Sequence, residues 1–162
     1  MILAWRLVRP KHGTKGKAFS GEGARLFGGR WNSPGRPVVY TSESLALAAL
    51  ETLAHADRRR FERDYVAFRL HIPDEEVMRL DEALPQSWPA RPVSTAARQL
   101  GDAWLREGST AALCIPSVLV PLERNYLLNP MHPGFTSITV EDPVVFGFDA
   151  RLKPAPQPGD EV

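Results

Sequence analysis

The chain has 162 residues, of which 43% are hydrophobic and 24% are charged. This length fits one domain, because domains typically contain about 100–200 residues, and the composition is that of a globular protein. Twenty basic and nineteen acidic residues give a formal net charge of +1, so no overall field attracts nucleic acid or an anionic membrane. Any anion site must therefore be local, and we place a single domain at residues 1–150.

The ends of the chain and its one cysteine indicate a cytoplasmic protein. Cys114 lies in an apolar run and has no second cysteine to pair with, so we predict a buried structural thiol. The apolar run at the N-terminus is interrupted by Arg6, too early for a signal peptide, and no run approaches the roughly 18 apolar residues of a membrane span. Residues 151–162 offer little to bury and are predicted to form a disordered tail.

The first half of the chain predicts three strands, a loop and one helix. The strands are Ile2 to Val8, a short one around Arg30 and Trp31, and Val38 to Thr41. The segment from Lys11 to Gly23 is rich in glycine and lysine without hydrophobic periodicity, which predicts a surface loop bordering a pocket. A helix is predicted from about Glu43 to His55, with Ser42 as its cap, and its apolar residues on nearly every side predict that it is largely buried.

The second half predicts a mixture of strands and one helix. Tyr65 to Ile72 alternates strongly, and the segment from Thr95 to Glu107 has apolar residues at helical spacing before Gly108. Late strands are predicted at Ala111 to Ile115, Ser137 to Val140 and Val144 to Phe148. The chain is therefore predicted to be a single α+β domain.

A set of candidate site residues lies in the first half of the chain. Arg30 follows Gly28 and Gly29, which let the backbone approach a ligand, and arginine can bind a phosphate bidentately. Tyr40 offers a flat ring for stacking. Glu51 supplies a negative charge of the kind that stabilises an oxocarbenium-like transition state when a glycosidic bond is cleaved. The trio suits chemistry on a phosphorylated substrate that carries an aromatic ring.

Each candidate also has a structural interpretation that the residues alone leave open. Arg30 and Glu51 are equally suited to ion pairs with other side chains, and Tyr40 to the core of its strand. Ser117 comes at the end of a predicted strand, where it can bind a ligand or complete a turn. Asn125 stands among polar groups and apolar anchors, so it can reach the same cleft or serve local packing.

Other chemistries have little support in the sequence. The four histidines are dispersed without metal-ligand spacing, so no metal site is predicted. The run Arg58 to Arg60 is followed by Glu62 and Asp64, which fits the solvated end of a helix better than a nucleic-acid patch. Cleavage of RNA would need a stronger basic surface or a histidine pair, neither of which is evident.

Several segments, in their order along the chain, resemble the RES domain, the toxin component of bacterial Res–Xre type II toxin–antitoxin systems. The resemblance spans roughly Trp5 to Phe148. It is carried by Phe19-Ser20-Gly21-Glu22-Gly23-Ala24, Gly28-Gly29-Arg30-Trp31-Asn32-Ser33-Pro34-Gly35, Val38-Val39-Tyr40-Thr41-Ser42-Glu43-Ser44-Leu45-Ala46, Ala49-Leu50-Glu51, Ile115-Pro116-Ser117 and Glu123-Arg124-Asn125. The segment containing Arg58 to Gly108 carries little of it.

The resemblance implies a fold similar to bacterial ADP-ribosyltransferase toxins, with twisted β-sheets and flanking helices. It implies that Arg30, Tyr40 and Glu51 lie in a cleft for NAD⁺, which is a substrate and not a bound cofactor. Ser117 and Asn125 are then supporting polar groups. Related enzymes of the diphtheria type use a histidine on their first strand where this chain offers Arg6, so either Arg6 or Arg30 is expected to anchor the phosphates.

The implied activity is cleavage of the bond between nicotinamide and ribose, by a glycohydrolase or phosphorylase reaction that depletes NAD⁺ and arrests growth. One alternative is an ADP-ribosyltransferase that modifies a protein or nucleic acid, and another is a non-enzymatic binding module. The resemblance also implies an Xre-type antitoxin with a helix-turn-helix domain that blocks the cleft. A homodimer is expected, with Trp88 or Trp104 as candidate contacts, although the sequence favours packing of these two residues in the core. Direct DNA binding by this chain is not expected.

Overall fold

A mixed β-sheet organises the fold. The computed structural model describes residues 1–57, 61–80, 84–90 and 93–152. The strands in this part of the chain are β1 (Ile2–Val8), β2 (Val39–Ser42), β3 (Asp64–Ile72), β4 (Val77–Arg79), β5 (Ala112–Pro116), β6 (Arg124–Leu128), β7 (Thr139–Val140) and β8 (Val144–Gly147). They follow the order β4-β5-β6-β2-β1-β3-β7, and β8 also pairs with β3. All pairs are antiparallel except β4 with β5. The α+β class is confirmed.

Two longer helices and several short ones accompany the sheet. The helices are α1 (Lys15–Ala18), α2 (Glu22–Phe27), α3 (Leu45–His55) and α4 (Thr95–Glu107), with 3₁₀ turns at Pro10–His12, Asp74–Glu76 and Pro133–Ser137. Serine side chains cap both longer helices, because Ser44 accepts from the Leu47 amide at 3.0 Å and Ser94 from the Ala97 amide at 3.1 Å. Gly108 ends α4 in the left-handed conformation, as the sequence predicts.

The sheet buries apolar side chains on both faces. On one face Phe68, Leu70 and Leu128 belong to a cluster that also contains the buried thiol of Cys114. On the other face Leu113 and other strand residues pack against the turn after α2 and against α4. Trp104 of α4 is 3% exposed in this second cluster, so it is a core residue, which leaves it unable to serve as a dimer contact.

One row of residues crosses four strands and positions the site. Trp5 of β1 pairs with Ser42 of β2, Ser42 pairs with Asn125 of β6, and Asn125 pairs with Ile115 of β5. Residues directly opposite each other share a face of the sheet. These four side chains therefore form a continuous line on the face that α4 covers, and Tyr40, two residues before Ser42, shares that face.

Three local predictions for the first half of the chain are wrong. The expected strand around Arg30 and Trp31 is instead a tight turn with an isolated bridge between Gly29 and Asn32. The expected loop from Lys11 to Gly23 contains α1 and the start of α2. The cap of α3 is Ser44 and not Ser42, because Ser42 belongs to β2. The helix therefore begins at Leu45, two residues after the predicted start at Glu43.

The prediction that α3 is largely buried is also wrong. Leu47 and Ala48 are its buried residues, whereas Leu50 is 46% exposed. The helix packs against β1 and β2 along one side, and Ala46, Leu50 and Ala54 are exposed on the other. The sequence did not predict two strands, β4 and β6. The strand β4 has only three residues, and β6 begins with the polar residues Arg124 and Asn125, so its apolar part is too short to indicate a strand.

Two predictions lie outside the described residues. They concern the arginine run Arg58 to Arg60 and the greater part of the tail, residues 153–162. In the described ranges, no helix is both long and apolar enough to cross a membrane.

Candidate active site

A cleft of about 360 Å³ opens beside the row of paired residues. Side chains of β1, β2, α3, the turn after α2 and the end of β5 line it. Among them are Trp5, Arg6, Arg30, Tyr40, Glu51 and Asn125. This volume lies within the range of small-molecule sites, about 300–1,000 Å³.

The cleft begins where the first two strands of the sheet separate. The β1–β2 pairing is recorded at Trp5 and Ser42. Beside this pair, the side chain of Arg6 binds the backbone of β2, because its Nη1 donates to the Tyr40 carbonyl at 2.6 Å. Its Nε donates to the Ala18 carbonyl at 2.5 Å. Burial lowers the pKa of Arg6 to about 10, so the group stays cationic at neutral pH. A positive charge therefore lies at the split in the sheet.

Glu51 of α3 is held by two donors from different strands. Its Oε1 accepts from the Ser117 hydroxyl at 2.9 Å and from Asn125 Nδ2 at 2.7 Å. The Ser42 hydroxyl donates to Asn125 Oδ1 at 2.7 Å, which fixes the orientation of the amide and turns its NH₂ group toward Glu51. The carboxylate is thus positioned through one oxygen, and among the described residues no hydrogen-bond donor reaches the other oxygen, Oε2.

The local geometry of Ser117 explains why its proton points at Glu51. The side chain is fully buried at the end of β5, and its oxygen accepts from the amides of Leu119 and Val120 at 3.1 Å each. Because a hydroxyl has two lone pairs and one proton, these contacts leave the proton for Glu51 Oε1. The turn after β5 and the carboxylate are therefore coupled through one hydroxyl group.

Tyr40 presents its ring to the cleft while its hydroxyl is bound on the far side. The hydroxyl donates to Asn32 Oδ1 at 2.7 Å and accepts from the Trp31 amide at 3.3 Å. Asn32 is itself fully buried and fixed by donation from Nδ2 to the Ala24 carbonyl at 2.9 Å. Burial raises the pKa of the Tyr40 phenol well above its ordinary value. Tyr40 is therefore suited to stacking and not to proton transfer at neutral pH.

The turn from Gly28 to Ser33 is fitted tightly between Tyr40 and α4. A Cβ atom at Gly29 would collide with the Tyr40 hydroxyl, so this position requires glycine. From α4, Arg98 Nε donates to the Gly29 carbonyl at 3.3 Å. Asp102, on the same helix, accepts from the Ser33 hydroxyl at 2.6 Å and from its amide at 2.8 Å. The helix thus fixes the rim of the cleft.

The structure brings the sequence-predicted residues together. Arg30, Tyr40, Glu51 and Asn125 line one cleft, and Ser117 joins it through its bond to Glu51. Arg30 Nη1 also donates to the carbonyls of Trp88 and Ala90, at 2.9 and 3.0 Å, so part of its guanidinium serves the protein. Which arginine binds phosphate stays a prediction.

Sequence reasoning gave no site role to Trp5, Ser42 or Asn32. The sequence places Trp5 only within a predicted strand, Ser42 only as a predicted helix cap and Asn32 only within a motif. Pairing a polar Ser42 with a polar Asn125 across two strands needs the register, which no local pattern contains.

The fold and the cleft define a class of small α+β proteins with a positioned carboxylate and arginine side chains in one cleft. A chain of the solved MbcT–MbcA toxin–antitoxin complex from Mycobacterium tuberculosis superposes with a TM-score of 0.71 at 20% identity, covering 90% of this chain and 84% of that one. At this identity the likeness shows the fold.

The family is shown by sequence. The RES domain family matches residues 3–149, and the chain belongs to it. The chain is 37% identical to "Toxin Res" of Photorhabdus laumondii over 93% of this chain and 97% of that protein. It is 34% identical to the "Prs ADP-ribosylating toxin" of a Sphingobium species over 91% of this chain and 94% of that protein. It is 40% identical to the "NAD(+) phosphorylase MbcT" of M. tuberculosis, over 43% of this chain and 40% of that one.

Proposed function

We propose that this chain is the toxin of a toxin–antitoxin pair and that it cleaves the bond between nicotinamide and ribose in NAD⁺. The observation that carries the proposal is the Glu51 carboxylate, held through Oε1 by Ser117 and Asn125 in a cleft lined by arginine. The names of the Res, Prs and MbcT relatives, which refer to toxins, ADP-ribosylation and NAD⁺, support the same choice of substrate.

The charges of the cleft match those of a dinucleotide. Arg6 and Arg30 contribute two cations, and Glu51 contributes one anion. A diphosphate carries negative charge, which arginine binds through paired N–H donors. The single carboxylate then lies beside the part of the substrate that becomes positive in the reaction, so its attraction is stronger in the transition state than in the ground state.

The reaction follows from these positions. The bond between the ribose C1′ and the nicotinamide nitrogen breaks, and its electron pair leaves with the nicotinamide, which becomes neutral. Positive charge then develops on the ribose C1′ and ring oxygen, where Glu51 stabilises it. Tyr40 packs its ring against the nicotinamide or its ribose. An acceptor oxygen forms the new bond to C1′, and Glu51 orients this acceptor or receives its proton.

The acceptor distinguishes three closely related activities. Water gives a glycohydrolase, inorganic phosphate gives a phosphorylase, and a protein or nucleic acid gives an ADP-ribosyltransferase. The phosphorylase name of MbcT favours phosphate, and the name of the Prs toxin favours transfer. NAD⁺ labelled in its adenine half separates the three outcomes, because the label ends on ADP-ribose, on its 1-phosphate or on a macromolecule.

An antitoxin that covers the cleft is the proposed partner. The matched solved structure is a toxin–antitoxin complex, and Leu119, which lines the cleft, is 37% exposed. An exposed apolar side chain at a charged cleft suits a protein partner. The expected partner is an Xre-type antitoxin with a helix-turn-helix domain.

A homodimer of this chain is a separate proposal, and light scattering of the isolated chain tests it.

The test of the proposed function is nicotinamide release. Purified protein, freed of any partner, is incubated with NAD⁺ in the presence and absence of phosphate, and nicotinamide is measured by chromatography. Release that disappears in Glu51→Gln supports glycosidic cleavage. No release with water, phosphate or candidate protein acceptors would refute it in favour of a binding module.

A further inference from the structure

Trp5 of β1 lies in the cleft without a part in the proposed chemistry. It lines the cleft, is half-buried and starts the cross-strand row that continues through Ser42 to Asn125. Neighbouring strands are about 4.8 Å apart, so the backbone of Trp5 is about 10 Å from that of Asn125, which holds Glu51. A large aromatic ring therefore lies in the same cleft as the carboxylate, on a strand two positions away from the one that carries Asn125.

A cation on the next strand holds this ring in place. Arg69 of β3 pairs directly with Trp5, and its guanidinium carbon lies 5.9 Å from the centre of the indole ring. Such a contact is attractive because the face of the ring is electron-rich. In turn, Arg69 Nε lies 3.6 Å from Glu141 Oε1, an ion pair that orients the guanidinium. The contact favours this position of the indole before any ligand arrives, which lowers the entropic cost of binding a flat group against it.

We propose that Trp5 is the stacking platform for the adenine ring of the dinucleotide; the proposal rests on the function proposed above. NAD⁺ has two flat rings joined through two riboses and a diphosphate. The reacting ribose must lie at Glu51, so the ring next to it is nicotinamide, and the ring at Trp5, two strands away from Asn125, is adenine. Arg6, adjacent to Trp5 in the chain, lines the cleft and carries the positive charge that suits the diphosphate between them.

The test changes Trp5 in the protein and, separately, removes the adenylate half from the substrate. We measure kcat/KM for NAD⁺ and for nicotinamide mononucleotide, which lacks the adenylate half, with the native chain, Trp5→Ala and Trp5→Phe. For NAD⁺, alanine lowers kcat/KM by about 5- to 150-fold, the range for loss of one aromatic platform under a base. For the mononucleotide the same variant changes kcat/KM by less than about twofold, and phenylalanine restores most of the loss. Phe27→Ala is the matched control, because this aromatic is 83% exposed and outside the cleft lining.

Equal losses for both substrates, or no loss for NAD⁺, would overturn the proposal. Calorimetric titration with AMP gives a readout independent of turnover: the native chain binds AMP more tightly than Trp5→Ala by the same factor as in kcat/KM. If the native chain cleaves no NAD⁺, the proposed function fails, and the AMP titration still decides. Weaker AMP binding by Trp5→Ala then supports the platform, and equal or absent binding in both chains refutes it.

Discussion

Replacing Glu51 by glutamine isolates the charge of the carboxylate from its position. The glutamine side chain has the same shape, and its amide oxygen can accept the bonds from Ser117 and Asn125. Both donors are neutral, so we expect the free energy of unfolding to change by less than about 1 kcal/mol. The variant therefore differs from the native chain mainly by one negative charge in the cleft.

The size of the effect follows from the distance over which that charge acts. A carboxylate about 4 Å from a developing positive charge contributes about 4 kcal/mol at an effective dielectric constant of about 20. Because about 1.4 kcal/mol corresponds to a factor of ten, we expect kcat to fall by about 10²- to 10³-fold. KM should change less than kcat, since the positive charge of the ground state is on the nicotinamide ring and the reaction moves it to the ribose beside Glu51.

The assay follows nicotinamide release at saturating NAD⁺, with circular dichroism and urea unfolding to confirm the fold. Glu123→Gln is the matched control, because this carboxylate accepts from Ser44 at 2.9 Å and does not line the cleft. The control should retain native activity. A Glu51→Gln enzyme within about fivefold of the native kcat would show that the charge of Glu51 does not stabilise the transition state.

Three further predictions concern the groups around this carboxylate. Ser117→Ala removes a donor to Glu51 and the acceptor of two amides, so kcat should fall by about 10- to 100-fold and the free energy of unfolding by about 1–3 kcal/mol, as measured by turnover and urea unfolding. Tyr40→Phe should keep activity within about tenfold, because the hydroxyl is bound to Asn32, whereas loss of about 10²-fold or more would indicate acid–base catalysis. Burial raises the pKa of Tyr126 to about 12, above the unfolded value near 10, so stability is fully present below pH 10 and is lost as pH rises toward 12. Urea midpoints from pH 9 to 11.5 should fall more steeply for the native chain than for Tyr126→Phe.

Residue chemistry and family resemblance were enough to assemble the candidate site from the sequence. Arg30, Tyr40 and Glu51 lie on a turn, a strand and a helix that follow one another along the chain, so short connections bring them together. The strand β1 and the helix α4 were also predicted with the bounds that the structure has. The first is a short apolar-rich run that Arg9-Pro10 ends, and the second has apolar residues at helical spacing before Gly108.

What the sequence could not supply was the partner of each side chain. The role of Ser42 depends on the strand register that places it opposite Asn125, and the role of Asn32 depends on the fold of the turn that aims it at Tyr40. Tertiary packing also decided how much of α3 is buried, since its composition is apolar on almost every side but the sheet covers only one. Long-range contacts of this kind leave no periodic trace in the chain.

The cross-strand row from Trp5 to Ile115 limits how this protein can change during evolution. Side chains alternate between the two faces of a sheet, so inserting or deleting one residue between Tyr40 and Ser42 would place these two side chains on opposite faces. Substitutions alter one group at a time, but a single-residue length change there would dismantle the whole cleft at once. Variation in chain length among working relatives should therefore gather in the connections between strands, and the spacing from Tyr40 to Ser42 should be kept even where neighbouring loops lengthen or shorten.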